Sequence, residues 1–153
     1  MIALGSDHGG LQLKEALKEL LRERGIPFED CGTDNGNSVD YPDFGIMVAR
    51  LVSAGAAEKG ILACGTGIGM SIVANKFPRV RAALVTDPFM ARMAKEHNNA
   101  NILVLGGRVL NEQEAREMVT TWLDVAFEGG RHQGRLDKIA ALERELHKPV
   151  PHP

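Results

Sequence analysis

A single thiol, Cys64, stands where a buried strand is expected to end and a glycine-rich turn to begin. The apolar run from Gly60 to Cys64 is bounded by glycine, which is typical of a buried strand. Three glycines between residues 65 and 69 lead into a helical pattern at residues 71–76. Because the first N–H groups of a helix attract anions, the stretch predicts a thiol beside an anion-binding loop. The alternative is an ordinary strand-to-helix turn with a buried cysteine.

Polar side chains follow two further predicted strands. Asp7 and His8 come after a first strand at residues 2–6, and Arg108 comes after a fifth strand at residues 101–105. Since ligands of open α/β sheets bind outside the carboxyl ends of the strands, these side chains could share one cleft with Cys64. Asp7 and His8 could instead only cap a turn.

His97 does not fit that edge of the sheet. It lies between a helix and the following strand, and a five-residue strand at about 3.3 Å per residue separates it from Cys64 by roughly 15 Å. If both residues act on one substrate, His97 is expected to come from a neighbouring subunit. Alternatively, His97 and Asn98 only cap the end of a helix.

Arg131 and Arg135 are four residues apart, so on a helix both side chains project from one face and could bind a phosphate. The alternative is a solvated helix face with Arg135 near Asp137 or Glu128.

The elements that must position these residues alternate between strand and helix five times. Such alternation predicts a parallel sheet with helices on both faces, that is, a Rossmann-like three-layer α/β/α fold with five strands. An extra C-terminal helix from Gly134 to His147 carries Ile139, Leu142 and Leu146 on one stripe and contacts either its own domain or another subunit. We expect one domain over residues 1–147 and a flexible tail at residues 148–153.

Composition narrows the class of protein. The chain has 153 residues, 18 basic and 20 acidic, and a net charge of -2, so nothing draws it to nucleic acid or an acidic membrane. Its two cysteines fit neither a disulfide framework nor a multi-ligand zinc site, and Cys31 is expected to be a small buried hydrophobe. Without a signal peptide or an apolar run long enough to span a membrane, the sequence predicts a cytoplasmic protein.

The Cys64 loop excludes two common phosphate-binding enzymes. A thiol phosphatase needs an arginine six residues after its cysteine, where this chain has Met70. A nucleoside-triphosphate P-loop ends in Gly-Lys-Ser/Thr, which is also absent here. A dinucleotide site is the remaining alternative: Asp87 lies about 20 residues after the loop, but Met70 replaces the third glycine.

Several short motifs occur together in this order along the chain. They are Ser6-Asp7-His8-Gly9-Gly10, Asp40-Tyr41-Pro42, Cys64-Gly65-Thr66-Gly67-Ile68-Gly69, Ala74-Asn75-Lys76, His97-Asn98, Gly107-Arg108 and Glu128-Gly129-Gly130-Arg131-His132. Together they closely resemble the ribose-5-phosphate isomerase B family, which also contains the galactose-6-phosphate isomerase subunits. The resemblance runs from Met1 to about His147.

The resemblance implies interconversion of ribose 5-phosphate and ribulose 5-phosphate without metal or organic cofactor. It assigns Cys64 as the base that moves a proton between C1 and C2, and His97 as the group that opens the furanose ring. Thr66 would help to hold the enediolate oxygens. The implied substrate-binding residues are Asp7, His8, Tyr41, Gly65, Gly67, Ile68, Gly69, Asn98, Arg108, Arg131 and Arg135.

Family members are dimers or tetramers whose sites take residues from two subunits, so the resemblance implies a homodimer or tetramer here. Some members use a glutamate as the base at the position of Met70. Six-carbon sugar phosphates such as allose or galactose 6-phosphate remain alternative substrates, and a non-catalytic sugar-phosphate- or nucleotide-binding module is the alternative outside catalysis.

Overall fold

Five parallel strands form one sheet at the centre of the molecule, of which a computed structural model describes residues 1–147. In chain order they are β1 (Ile2–Ser6), β2 (Phe28–Asp30), β3 (Lys59–Cys64), β4 (Ala82–Leu84) and β5 (Ile102–Gly106). Their order across the sheet is β2-β1-β3-β5-β4. The winding direction therefore reverses between β1 and β3, where ligands bind in open α/β sheets.

Helices cover both faces of this sheet. They are α1 (Leu11–Glu23), α2 (Tyr41–Ala54), α3 (Ile68–Ala74), α4 (Pro88–Glu96), α5 (Glu112–Asp124) and α6 (Arg131–Leu146). Helices α1, α4 and α5 pack into one hydrophobic cluster, and α2 and α3 pack into the other. The three-layer α/β fold with an additional C-terminal helix, predicted from the sequence, is confirmed.

The central strand β3 shows why the central strand sequences are apolar throughout. Ile61 and Ala63 belong to the cluster under α1 and α5, whereas Leu62 and Cys64 belong to the cluster under α2 and α3. Successive side chains of a strand point to opposite faces, and both faces are covered here. The Cys64 side chain therefore lies on the α2/α3 side at the carboxyl end of its strand.

Two helices begin three residues earlier than the sequence pattern indicates. Helix α3 begins at Ile68 rather than Ser71, directly after Gly67 in a left-handed conformation with φ of 82°. Helix α6 begins at Arg131 rather than Gly134, after two glycines with positive φ at 129 and 130. Both corrections move candidate site residues from loops onto the first turn of a helix.

Helix α6 packs on neither face of the sheet. Of its residues only His132 is buried, and Ile139, Leu142 and Leu146 are 54%, 53% and 72% exposed. Its apolar stripe is thus uncovered in the single chain. The tail predicted at residues 148–153 lies outside the described residues. Within residues 1–147, no helix has both the length and the apolar composition needed to traverse a bilayer.

Candidate active site

Cys64 is the last residue of β3, and its side chain is buried at the sheet's carboxyl edge. Its Sγ accepts a hydrogen bond of 3.2 Å from the backbone N–H of Gly67. Gly67 reaches this position in a left-handed conformation, and a Cβ there would lie 2.5 Å from Leu84 Cδ1. A backbone donor directed at sulfur stabilises negative charge on it, as a nucleophile or base requires.

The rest of the Cys64 loop faces the solvent and Tyr41. Thr66 is exposed, and its Oγ1 accepts a hydrogen bond of 3.3 Å from Ile68 N–H. Tyr41, at the start of α2, lies so close to Gly69 that a Cβ there would be 2.5 Å from its ring. Met70 instead points into the core with no exposed surface, so position 70 offers nothing to the cleft.

Asp7 and His8 form a neighbouring turn after β1. The Asp7 carboxylate is buried and accepts a hydrogen bond of 3.1 Å from Gly10 N–H. His8 Nδ1 accepts a hydrogen bond of 3.2 Å from Val39 N–H, in the loop before α2. With Nδ1 occupied as acceptor, a neutral His8 carries its proton on Nε2 and can donate it to a ligand.

Arg108 joins these two loops from the end of β5. Its N–H donates to Gly65 O at 2.9 Å, and a Cβ on Gly65 would lie 3.0 Å from the guanidinium Nη1. Gly107 lies against Gly9, where a Cβ would come within 2.1 Å of the Gly9 carbonyl oxygen. The loops after β1, β3 and β5 thus pack backbone against backbone, with a cation over the Cys64 loop.

His97 lies at the opposite edge of the sheet. Cys64 pairs with Gly106 at the carboxyl end of β5, whereas Gly60 pairs with Ile102 at its amino end. His97 and Asn98 precede that amino end, so four residue steps of β3, about 13 Å, separate the two edges. Within one chain His97 does not reach Cys64, as the sequence topology predicted.

The first turn of α6 accompanies His97 rather than Cys64. Glu128 N–H donates to Glu96 O at 3.0 Å, which ties the start of α6 to the end of α4. The rings of His97 and His132 are stacked, with centroids 4.0 Å apart and planes 16° apart. Arg131 and Arg135 therefore lie on the His97 side of the molecule, away from Arg108, and neither forms an ion pair with any residue from 1 to 147.

His132 and Glu128 belong to this group, although neither was predicted as a site residue. His132 is buried, and its Nε2 lies 3.3 Å from Glu128 Oε2 without a hydrogen bond. Burial and the neighbouring positive charges of His97 and Arg131 lower the pKa of His132, and Glu128 opposes this effect. The only signal in the sequence was their occurrence in the motif at residues 128–132.

His97, Glu128 and His132 bring three potential metal ligands within 4.8 Å of one another. The arrangement does not suit a metal ion, because imidazole binds metals in the plane of its ring and these two planes are stacked. Arg131 and Arg135 also make the surroundings unfavourable for a cation.

Cys31, the second cysteine, is part of the core under α2 and α3. Burial raises the pKa of its thiol to about 11, and the nearby carboxylates of Glu29 and Asp30 act in the same direction. It is a buried apolar residue, as expected, and takes no part in the cleft.

Comparison with known proteins gives this geometry a family context. The family model described as Ribose/Galactose Isomerase matches residues 2–139. Ribose-5-phosphate isomerase B of Escherichia coli is 43% identical over 143 residues, covering 94% of this chain and 96% of its own length. The solved ribose-5-phosphate isomerase B of Clostridium thermocellum has 50% identity and a TM-score of 0.92, covering 95% of this chain and 98% of its own. That of Mycoplasma genitalium, solved with bound ribulose 5-phosphate, has 42% identity and a TM-score of 0.91, covering 94% and 96%.

Proposed function

The chain belongs to the ribose/galactose isomerase family, and we propose that it interconverts ribose 5-phosphate and ribulose 5-phosphate by moving a proton between C1 and C2. The relative that carries bound ribulose 5-phosphate supports this choice of substrate. The observation that carries the proposal is the Cys64 thiol, buried at the sheet's carboxyl edge and facing the Gly67 N–H.

Cys64 acts as the base. In the aldose-to-ketose direction its thiolate takes the proton from C2 of the open-chain aldehyde, and the electron pair moves to the carbonyl oxygen as an enediolate forms. The C2 hydroxyl passes its proton to the oxygen on C1, and Cys64 returns the carbon-bound proton to C1 as the C2 oxygen becomes the ketone. With Met70 turned into the core, Cys64 is the candidate base of this loop.

The loop around Cys64 stabilises the enediolate. Donors come from the backbone N–H groups between Gly65 and Gly69 and from the hydroxyl of Thr66. One preorganised donor to such an oxyanion lowers a barrier by about 3 kcal/mol. Asp7 and the Nε2–H of His8 bind sugar oxygens from the adjoining turn, and Tyr41 forms the wall beside Gly69.

Ring opening and phosphate binding use the residues at the opposite edge. His97 opens the furanose ring, and Asn98 binds a sugar hydroxyl. The phosphate is bound by Arg131 and Arg135, which are one helical turn apart and have no ion-pair partner among residues 1–147. Arg108, which lies beside Cys64 at the other edge, adds a third positive charge.

The complete site therefore forms between two copies of the chain. Cys64 and His97 lie at opposite edges of one sheet, so a second subunit must supply one of them. The uncovered stripe of α6 offers an apolar contact surface, and Ile68 and Ile72 of α3, 55% and 56% exposed, offer another. We assign a two-fold homodimer as the smallest active unit, and a pair of such dimers would make a tetramer.

The proposal is tested by incubating the protein with ribose 5-phosphate in heavy water without added metal. Ketose formation together with deuterium at C2 of the recovered aldose is the expected result. If ribose 5-phosphate gives neither ketose nor deuterium exchange but allose or galactose 6-phosphate is turned over, the substrate is a six-carbon sugar phosphate. Absence of both with every sugar phosphate would refute catalysis and favour a binding module.

A further inference from the structure

The His97 ring is held by a neighbouring ring rather than by hydrogen bonds. Its side chain is 35% exposed, and within residues 1–147 no side-chain hydrogen bond fixes it; Glu128 Oε2 lies 3.9 Å from its Nε2. The His132 ring, only 4% exposed, lies flat against it at 4.0 Å. The orientation of the His97 ring therefore depends on this stacked contact.

The contact between His132 and His97 is made by the faces of the two rings rather than by ring nitrogens. Its Nε2 has no hydrogen-bond partner, although burying an unpaired polar atom costs free energy. A flat ring, not a hydrogen-bonding group, is thus what the contact with His97 uses.

The charges around the pair favour an uncharged His132. His132 faces His97, Glu128, Arg131 and Arg135, and its pKa is lowered chiefly by burial and then by the positive charges of His97 and Arg131. Two stacked imidazolium rings would repel each other. An uncharged His132 lets His97 gain and lose a proton without a second charge against its face.

We propose that His132 is a positioning residue, which holds the His97 ring in the orientation for ring opening and stays uncharged while His97 exchanges its proton. The inference rests on the proposed function. In ring opening, His97 gives a proton to the ring oxygen as its bond to C1 breaks. The anomeric hydroxyl loses its proton to water as the aldehyde forms, and water reprotonates His97.

The two substrates of the reaction separate this step from proton transfer at carbon. Ribulose 5-phosphate has no furanose form, because the hydroxyl that would close the ring onto C2 carries the phosphate. Exchange of its C1 proton needs Cys64 but no ring opening. A defect confined to His97 orientation should therefore reduce ribose 5-phosphate turnover and leave this exchange intact.

The test compares His132→Leu and His132→Phe, both apolar and uncharged, of which only phenylalanine keeps a flat ring. For each variant, kcat/KM with ribose 5-phosphate and the C1 exchange rate of ribulose 5-phosphate in heavy water are measured. His132→Leu should lose about tenfold in kcat/KM for the aldose, a part of the roughly 10²–10⁴-fold that a positioned acid–base group contributes, and retain exchange. His132→Phe should retain both. Arg135→Ala is the contrasting control, since both substrates carry a phosphate and both rates should fall.

Three results would each overturn the proposal. In His132→Leu, aldose turnover and C1 exchange could fall equally, or neither rate could fall. Alternatively, His132→Phe could be as impaired as His132→Leu. A wild-type protein that shows neither turnover nor exchange would instead refute the proposed function, and this inference with it.

Discussion

At the scale of single residues, the two cysteines differ in their surroundings although both are buried. Cys64 faces a backbone donor and lies beneath the Arg108 loop, whereas Cys31 faces the Glu29 carboxylate at 3.9 Å. Carboxylates oppose a thiolate and a donor favours one. We therefore expect Cys64 and Cys31 to differ more in their reactivity towards alkylating reagents than in their exposure.

We expect iodoacetamide at pH 8 to stop turnover by modifying Cys64. With a pKa of about 11, Cys31 has roughly one thiolate in a thousand at that pH. Peptide mass analysis identifies the modified residue, and Cys31→Ala is the control that should be inactivated at the wild-type rate. Loss of activity with label on Cys31 alone would contradict the assignment of Cys64 as base.

Arg135→Ala should raise KM for ribose 5-phosphate with a smaller effect on kcat. A hydrogen bond to a charged group contributes about 2 kcal/mol, which corresponds to roughly thirtyfold in binding. Arg144→Ala removes the same charge from the last turn of the same helix and should leave KM unchanged. Steady-state kinetics of both variants test this prediction. If Arg135→Ala and Arg144→Ala have equal KM values, Arg135 does not bind the phosphate.

At the scale of elements, an ion pair between buried Lys14 and partly exposed Asp30 fixes the end of β2 to α1. Lys14, 2% exposed, donates to both carboxylate oxygens of Asp30 at 2.8 and 2.6 Å. Asp30 also accepts from Gly32 N–H at 2.9 Å, where the loop toward Val39 and His8 begins. The pair thus anchors the loop that orients His8.

The pair should make stability depend on pH. Burial by itself would raise the pKa of Asp30, but hydrogen bonds from Lys14, Lys18 and Gly32 together hold it below its ordinary value. A lowered carboxyl pKa contributes stability above the unfolded-state value near 4, and this contribution disappears as pH falls through the folded-state value.

Asp30→Asn should accordingly lower the free energy of unfolding by about 2 kcal/mol at pH 7, because it leaves the buried Lys14 ammonium with only the more exposed carboxylate of Glu15 as a partner. Urea titrations at pH 7 and pH 3 should show the difference from wild type shrinking at the lower pH. Glu15→Gln, which removes the more exposed carboxylate that contacts Lys14, is the control and should cost less than about 1 kcal/mol. An equal loss at both pH values would show that the pair's charge is not responsible.

The same elements show what the sequence could predict and what it could not. The order of strands and helices follows from apolar periodicity and glycine positions, and the edge carrying Asp7, Cys64 and Arg108 follows from parallel topology. The burial of Lys14 is invisible in a helical pattern, because its partner Asp30 lies on another element. The His97–His132 stack depends on the Glu128–Glu96 backbone bond between segments distant in sequence, so no local signal reveals it.

At the scale of the whole molecule, the proposed catalytic residues Cys64 and His97 lie at opposite edges of one sheet. This arrangement predicts complementation between inactive variants. A heterodimer of a Cys64→Ser subunit and a His97→Asn subunit contains one intact site, formed by the wild-type Cys64 of the second subunit and the wild-type His97 of the first.

Such a heterodimer, isolated with two different affinity tags, should recover about half of wild-type turnover, whereas each variant homodimer should be inactive. Its mass in solution should correspond to two chains or a multiple of two. Turnover no higher than that of the parents would mean that each chain completes its own site, and a monomeric mass with full activity would lead to the same conclusion.

If the proposed site forms between two chains, the sugar phosphate is a ligand of the assembly rather than of the single chain. A ligand that binds only where two chains meet must strengthen their association, because ligand binding and dimer formation are thermodynamically linked. At a hundred times its Kd, substrate in one site would stabilise the dimer by about 2.7 kcal/mol. The folded chain would then lose its activity on dilution without unfolding, and substrate would delay that loss.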